Sequence, residues 1–535
     1  MIQKNSYYQN ITPKEINNIL KSRFAKDGFL SLSKLPHPSL FKDMDKSTAR
    51  IVEAINKNEK IILIGDYDVD GIVSTTLIKQ FFTQIGVKLD WLIPNRFRDG
   101  YGLSRGIIPR IREYDLAITV DNGISAVEAS HLCKKYNIEL IITDHHLLPK
   151  KLPLAYAIIN QKQNDCNFPY DEICGAQIAW YLIASLKRTL KTNTDMKSYL
   201  GLVAIAIIAD MMPLQHINRA MVNSGLKVLN NSKIPAIKAF LEKFKKETLN
   251  TEDIAFQIAP ILNSAGRMSD AKYSVEFLLS SNLFYAKIRL DKLIQFNEER
   301  KIIEKEITDE ALKLVNPKDK VIVINGENWH EGVIGIVSAR VGRIHKKPTI
   351  VLTKSKTGDL KGSGRSFHVC NLFKVTNDCR ELLSRFGGHH SAIGLSLPSK
   401  NLDKFKKKIQ LSYIAQNYKE DSIDPDILGI LDFRYIDFNL IKIIKTYEPY
   451  GQGNSRPKFI TQDVTIQDVK NIGTNKEHRR FILLSNGITI DGVFFRTNRE
   501  FKMGSNVTII YTIGENHFNN KVTIQLIIEE IIIQY

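Results

Sequence analysis

From Ile61 the chain settles into short apolar runs separated by stretches of helical periodicity. IILIG (61–65), LAITV (116–120) and LIIT (140–143) are continuous apolar segments closed by polar residues, as expected of strands buried on both faces. Between the first two, Val73, Leu77, Phe81 and Ile85 recur every four residues and predict one face of a helix. Ile124, Val127, Leu132 and Tyr136 predict the same between the second and third. Strand–helix–strand alternation of this kind predicts a doubly wound parallel sheet, which binds ligands beyond the carboxyl ends of its strands.

The same reading divides the rest of the chain. Residues 1–58 read as a helical, polar lead-in and 59–280 as the first α/β domain, mostly helical after residue 160. Residues 281–316 predict a long connecting helix, charged but with apolar Phe284, Ile288, Ile303, Ile307 and Leu314. A second, smaller α/β domain (317–410) starts at VIVIN (321–325), continues through a Gly-rich helix start near Gly332 and a strand at PTIVLT (348–353), and closes near Leu397. The charged KNLDKFKKK (400–408) leads into a linker-like region, 411–460. In 461–535 the pattern becomes alternating, as in Val464-Ile466, Phe481-Leu483, Ile488-Ile490, Val493-Phe495, Val507-Ile509 and Val522-Ile524, which predicts a small β-barrel or sandwich.

Length, charge and cysteine content refine this picture. A chain of 535 residues is too long for one core, so two to four domains are expected. The formal net charge of +18 favours an anionic partner, nucleic acid or an acidic membrane surface, although Lys-, Asn- and Ile-rich usage alone produces such a charge. The longest apolar stretch, Leu202 to Ala209, is far short of the roughly 20 residues that span a bilayer. The first residues lack the apolar core of a secretory signal. Cys133, Cys166, Cys174, Cys370 and Cys379 form no CxxC pair, so neither a disulfide framework nor a thiolate zinc site is expected, and the expected location is cytoplasmic.

The chemistry sits where the strands end. IILIG runs into Asp66, Asp68 and Asp70 of GDYDVDG, LAITV into Asp121 of DNG, and LIIT into Asp144, His145 and His146 of DHH; the apolar run LVAIAIIADMMPL ends on Asp210. Singly each is weak: DNG is often only a turn, DHH a helix cap, Asp210 a helix end. DYDVDG resembles the start of an EF-hand, but its twelfth position is Leu77 instead of Glu, and a strand precedes it. Jointly, strand ends of one sheet converge on one crevice, where packed carboxylates repel unless divalent cations neutralise them. Carboxylates with imidazole suit Mn²⁺ or Mg²⁺. Asp66, Asp68 and Asp70 stand two residues apart, so on an extended segment successive ones lie on one face about 7 Å apart and can flank two ions. The expected chemistry is phosphoester hydrolysis.

GDYDVDG, DNG, DHH and IADMMPL, in this order, resemble the four motifs of the DHH phosphoesterase superfamily. NSAGRMSDA (263–271), HEGVIGIVSAR (330–340), GSGRS (362–366), RFGGHHSAIG (385–394) and PYGQGN (449–454) resemble the RecJ family of bacterial single-strand-specific 5′→3′ exonucleases. The resemblance covers almost the whole chain from about residue 40. It implies a DHH-type sheet domain, a long helix, a smaller DHHA-type α/β domain across a groove, and a C-terminal oligonucleotide-binding (OB) barrel. It implies an exonuclease that degrades single-stranded DNA to mononucleotides in recombination and repair. As partners it implies single-strand-binding protein and a RecQ-type helicase, with the enzyme a monomer.

By motif, the resemblance assigns Asp68, Asp70, Asp121, His145 and Asp210 as ligands of two ions, with Asp121 and Asp70 bridging. Asp66 is a further candidate: related small phosphatases carry a histidine four residues before the second aspartate, where this chain has Ile64. His146 is expected to face the scissile phosphate or support a proton transfer, and Asp144 to orient a ligating histidine from behind. Arg96, Arg267, Ser363 and Arg365 resemble phosphate-anchoring residues, His389 a histidine facing the active site from the second domain, and His330 a groove residue; His390 is given no role. In the barrel, Arg479, Arg480, Phe481, Phe494, Phe495 and Arg496 could follow a strand, although alternate aromatics in a small barrel are more often core. Two competing functions are a phosphodiesterase for short oligonucleotides or cyclic dinucleotides and a non-catalytic scaffold. The former needs neither a third domain nor so much positive charge, and the latter would have lost the ligand set.

Overall fold

The computed structural model describes residues 8–25, 30–355, 358–418, 424–473, 476–497, 499–518 and 521–533. The chain forms two compact units, Pro36–Asp210 with Gly225–Asp421, and Met1–Leu35 with Met211–Ser224 and Ser422–Tyr535.

The larger unit contains the predicted parallel sheet: β1 (Ile61–Ile64), β2 (Asp90–Leu92), β3 (Leu116–Val120), β4 (Glu139–Thr143) and β5 (Ala157–Ile159), in the order β2-β1-β3-β4-β5. Chain order reverses at β1, which has β2 on one side and β3 on the other, so the carboxyl ends of β1, β3 and β4 open on the switch-point crevice. Helix Val69–Gln84 packs on helices Gly175–Thr189 and Leu200–Ala209. The last is apolar throughout because it lies inside the domain, and among the described residues no helix is long and apolar enough to cross a membrane.

Helix Leu283–Lys313 is the expected connector; its 31 residues are capped by the Asn282 side chain on the Tyr285 amide. It leads to a mixed sheet of β6 (Ile322–Gly326), β7 (Thr349–Lys354), β8 (Leu360–Arg365), β9 (Arg385–His389) and β10 (Ala392–Leu397), ordered β6-β7-β8-β10-β9. One face of β6 and β7 is covered by helix Ile334–His345 through Val337 and Val341 on Ile324 and Val351. The other face packs on helices Leu372–Asn377 and Leu402–Ala415 through Phe405 and Ile409. The KNLDKFKKK stretch is therefore the start of a core-packed helix: Phe405 and Ile409, one turn apart, are the apolar stripe its charges obscure.

The smaller unit has β11 (Ile427–Ile430), β12 (Lys458–Ile472), β13 (His478–Ser485), β14 (Ile488–Phe494), β15 (Asn506–Phe518) and β16 (Lys521–Ile533). Pairing runs β12-β13-β14-β16-β15 and back to β12, a closed five-stranded barrel, with β11 parallel to β12 outside the closure. Its core, Phe459, Val464, Ile466, Phe481, Leu483, Val507 and Leu526 among others, also takes Ile16 and Leu20 of helix Pro13–Ser22 and Leu440, Ile441 and Ile444 of helix Phe438–Thr446. The stretch read as linker-like thus carries β11 and a helix in the barrel core. Part of the lead-in belongs to the same core, where Tyr447 donates from its hydroxyl to Asn17 Oδ1 at 2.7 Å.

Candidate metal centre and phosphate cleft

The sheet brings the predicted acidic and imidazole groups together. His145 Nε2 lies 3.2 Å from Asp121 Oδ1 and 3.7 Å from both Asp70 Oδ2 and Asp210 Oδ2. Three sets of potential ligand atoms each fall within 4.8 Å: Asp121, His145 and His146; Asp70, His145 and Asp210; and Asp66, Asp68 and Asp121. Asp121 adopts a left-handed φ of 61° immediately after β3.

The aspartates of GDYDVDG do not continue the strand. Asp68 is the N-cap of helix Val69–Gln84, accepting from the amides of Asp70 (3.0 Å) and Gly71 (3.2 Å), and Asp70 stands in the first helical turn. The free amides of a helix N-terminus attract a short carboxylate more strongly than a further strand residue would.

Asp70 is itself fixed by another helix start. Its Oδ2 accepts from the Gly175 amide at 2.5 Å and its Oδ1 from Ala176 at 2.8 Å, the first two residues of helix Gly175–Thr189. A Cβ on Gly175 would stand 2.6 Å from Asp121 Cβ, so only glycine lets this helix come so close. Sequence reasoning missed Gly175; a glycine before an apolar helical run is too common a pattern to single out.

The carboxylates are held against their own repulsion. Burial pushes Asp70 up to about 6, with the charge on Asp68 adding to it. Burial and neighbouring aspartates raise Asp121 well above the usual range, and Asp66 and Asp210 likewise. Burial lowers His145 to about 3, leaving a neutral imidazole with a free lone pair. Asp66 Oδ1, Asp121 Oδ1 and Asp210 Oδ2 are buried and accept no hydrogen bond from any described residue. Buried oxygens without donors, beside a neutral imidazole, fit hard divalent cations, and Cys174 nearby is kept a thiol by burial and the charge of Asp70.

Asp144 orients His146, not His145. Its Oδ1 accepts from His146 Nδ1 (2.7 Å) and from the His146 amide (3.0 Å), while Oδ2 accepts from the Ile124 amide (2.9 Å). Burial works against a charged His146, but the bond to Asp144 outweighs it and raises the imidazole to about 9. The His146 ring lies 4.4 Å from His145 and stacks 6.3 Å from His389 of β9. Lys162, just after β5, acts electrostatically on His145, Asp210 and His389, a neighbour that sequence reasoning does not find.

His146 also lines a cavity of about 710 Å³ shared with Arg96, Arg267, Ser363 and Arg365. Arg96 lies 4.1 Å over the Tyr67 ring, Arg267 donates to the Gly332 carbonyl (3.1 Å), and Arg365 donates to Ser363 Oγ (3.0 Å) and the Gly364 carbonyl (2.8 Å). Burial, then the charges of Arg96 and Arg365, lower Arg267 to about 9. Guanidinium groups that repel one another in a cavity beside a helix N-terminus, here Gly332, Ile334 and Gly335, have the chemistry of a candidate anion site. His330 does not line it; its Nδ1 accepts from the Gly332 amide (3.2 Å) and its ring meets Phe97 edge-on. His390 is exposed. The lining residues Tyr67, Tyr101, Lys361, Arg385 and Glu331 were missed by sequence reasoning.

In the barrel, Phe481 is core, Phe494 packs against that core, and Arg479 turns back to the Lys476 carbonyl, so none of the three presents a free side chain. Arg480, paired with Asp491 at 3.0 Å, Phe495 and Arg496 are exposed.

Comparison with known proteins gives a consistent set of matches. The DHH family N-terminal domain matches residues 60–207, the DHHA1 domain 318–413 and the RecJ OB domain 428–530. The single-stranded-DNA-specific exonuclease RecJ of Bacillus subtilis is 32% identical over 510 residues, covering 92% of this chain; the chain spans 64% of that relative's length. The protein of the same name from Escherichia coli is 30% identical over 568 residues, covering 97% of this chain and 96% of the relative. The crystal structure of Thermus thermophilus RecJ in complex with Mn²⁺ superposes with a TM-score of 0.83 at 22% identity, covering 99% of this chain and 80% of that one.

Proposed function

Because the chain belongs to the RecJ family of single-stranded-DNA-specific exonucleases, we propose that it hydrolyses single-stranded DNA from the 5′ end and releases mononucleotides, using two Mn²⁺ or Mg²⁺ ions. The observation that carries this reading is the placement of His146, which belongs to the carboxylate–imidazole cluster and also lines the guanidinium cavity. A strand held by a terminal phosphate in that cavity presents its first internucleotide linkage to the cluster.

Asp68, Asp70, Asp121, His145 and Asp210 would hold the ions, joined by Asp66, whose Oδ1 is as free of donors as that of Asp121. Asp121 belongs to two of the three ligand sets, which supports a bridging role for it, and Asp70 shares His145 and Asp210. When bound, the ions would supply an activated water and polarise the phosphodiester. The protein's own groups do the rest. Arg96, Arg267, Ser363 and Arg365 grip the terminal phosphate, bidentately where guanidinium meets phosphate. His146, aligned and protonated through Asp144, offers a proton to the oxygen atoms of the scissile phosphate, with His389 stacked behind it. The barrel, through exposed Arg480, Phe495 and Arg496, holds the strand by charge and stacking.

The proposal includes a cytoplasmic monomer in DNA recombination and repair that works with single-strand-binding protein and a RecQ-type helicase, a part that rests on the family resemblance. The test is digestion of 5′- and 3′-end-labelled single strands with Mn²⁺, Mg²⁺ or chelator. The expected result is early release of the 5′ label as a mononucleotide, abolished by chelator. Early release of the 3′ label, faster turnover of dinucleotides than of long strands, or equal digestion of blunt duplex would overturn the reading.

A further inference from the structure

The exposed face of β8, β10 and β9 is laid out in three cross-strand rows. Arg365 pairs with Ala392 and Ala392 with His389; two residues along, Ser363 pairs with Gly394 and Gly394 with Gly387; two further, Lys361 pairs with Ser396 and Ser396 with Arg385. Side chains alternate between faces, and Ile393, Leu395 and Phe386, between these rows, pack on the opposite side. The middle strand therefore offers only small residues to this face, and a Cβ added to Gly387 or Gly394 would meet nothing within 4 Å. The result is an open floor with cationic walls. Helix Ile334–His345 covers the β6–β7 half of the same face, and Gly335 in its first turn comes close to Ser363 and Arg365.

Residues of all three rows line the cavity that holds Arg96 and Arg267. The stacking of His389 on His146 marks the first row as the end next to the metal cluster. Rows are about 7 Å apart. The terminal-phosphate cradle uses Arg365 and Ser363, the first and second rows, so Lys361 and Arg385 lie one step beyond it, away from the cluster. A strand ending in a monophosphate leaves that step unfilled. Charge points the same way. Among the described residues, Arg96, Arg267, Lys361, Arg365 and Arg385 line the cavity against one carboxylate, Glu331, 2.8 Å from Lys361. A monophosphate brings at most about two negative charges to these groups. The Arg385 guanidinium has no hydrogen-bond or ion-pair partner among the described residues.

We propose that this cavity also accepts single strands ending in a 5′-triphosphate, with the innermost phosphoryl group at Arg267, Ser363 and Arg365 and the outer ones at Lys361 and Arg385. The inference rests on the reading that the chain acts at 5′ ends. The reaction is the same hydrolysis. A water oxygen bonds to phosphorus of the first internucleotide linkage, the bond to the 3′ oxygen of the first nucleotide breaks, and that oxygen takes up a proton. The products are a nucleoside 5′-triphosphate and a shortened strand with a 5′-phosphate.

The test uses the full chain loaded with Mn²⁺ and short oligodeoxynucleotides with a methylphosphonate at the first linkage, ending in 5′-triphosphate, 5′-monophosphate or 5′-hydroxyl. Fluorescence anisotropy is expected to show the triphosphate end bound at least as tightly as the monophosphate. The double variant Lys361→Ala/Arg385→Ala should lower the triphosphate-to-monophosphate affinity ratio about tenfold. Lys361→Arg/Arg385→Lys should preserve it. With unmodified strands, the γ-label should leave as nucleoside triphosphate. Tenfold weaker binding of the triphosphate end by the wild type, or an unchanged ratio in the double variant, overturns the proposal. If no strand is cut, the cleavage reading fails while the affinity ratio still decides this one.

Discussion

Asp144 Oδ1 lies 2.7 Å from Nδ1 of His146, two residues away, so the first residue of the DHH motif fixes the ring of the last. Asp144→Asn keeps the shape and removes the charge. The His146 imidazole, raised to about 9, should then titrate close to or below its ordinary value, as read by NMR. Activity should fall about 10- to 100-fold. An unchanged titration would detach Asp144 from this role.

Ion binding should depend on pH in a definite direction. Asp70, Asp121 and Asp210 have raised folded-state pKa values, so in metal-free protein their contribution favours folding below about pH 4 and is lost as pH rises through about 6, for Asp70, and beyond for the others. Cations take the place of those protons. The Tm gain from Mn²⁺ should therefore be larger at about pH 8 than at about pH 5.5, measured by thermal unfolding at fixed Mn²⁺. A gain that shrinks with rising pH would contradict the cluster.

Asp121→Ala separates catalysis from stability. It removes a buried carboxylate with an oxygen that accepts no hydrogen bond, so the metal-free variant should be no less stable than the wild type near neutral pH. Nuclease activity with Mn²⁺ should drop by at least about 10³-fold. Retained activity would mean that the aspartates are not the engine.

Gly175→Ala tests the helix approach to Asp70 and Asp121. The added Cβ, 2.6 Å from Asp121 Cβ, must push helix or aspartate aside. The expected cost is about 1–3 kcal/mol in stability, with a loss of activity that added Mn²⁺ does not restore. Wild-type behaviour would show that the contact is slack.

Two phenylalanines of the barrel should behave oppositely. Phe481→Ala should cost about 3–5 kcal/mol by opening the core. Phe495, 49% exposed, should leave stability nearly unchanged on substitution by Ala but weaken single-strand binding by about 1–3 kcal/mol. Urea unfolding and strand-binding titrations distinguish them.

Apolar runs placed β1, β3 and β4 to within a residue or so, because strands buried on both faces have no polar alternation to blur them. The acidic residues after them were legible for the same reason, since a parallel sheet collects its strand ends. Three things were not. The turn at Asp68 was hidden because Asp suits both a loop and an N-cap. The helix Phe438–Thr446 reads as linker because its burial partners, Ile16 and Leu20, lie more than four hundred positions earlier, beyond any local pattern. Lys361 and Arg385 look like ordinary surface charges until antiparallel pairing sets them in one row with Ser396.

Helix Pro13–Ser22 shares its core with strands from the far end of the chain, Tyr447 reaching Asn17 across 430 positions. On a ribosome, at roughly 5–20 residues per second, the helix waits roughly 25–100 s for the last of its partners to be made. Through that interval Ile16 and Leu20 have no core to enter, so nascent chains should recruit a chaperone early and release it only as the last strands emerge.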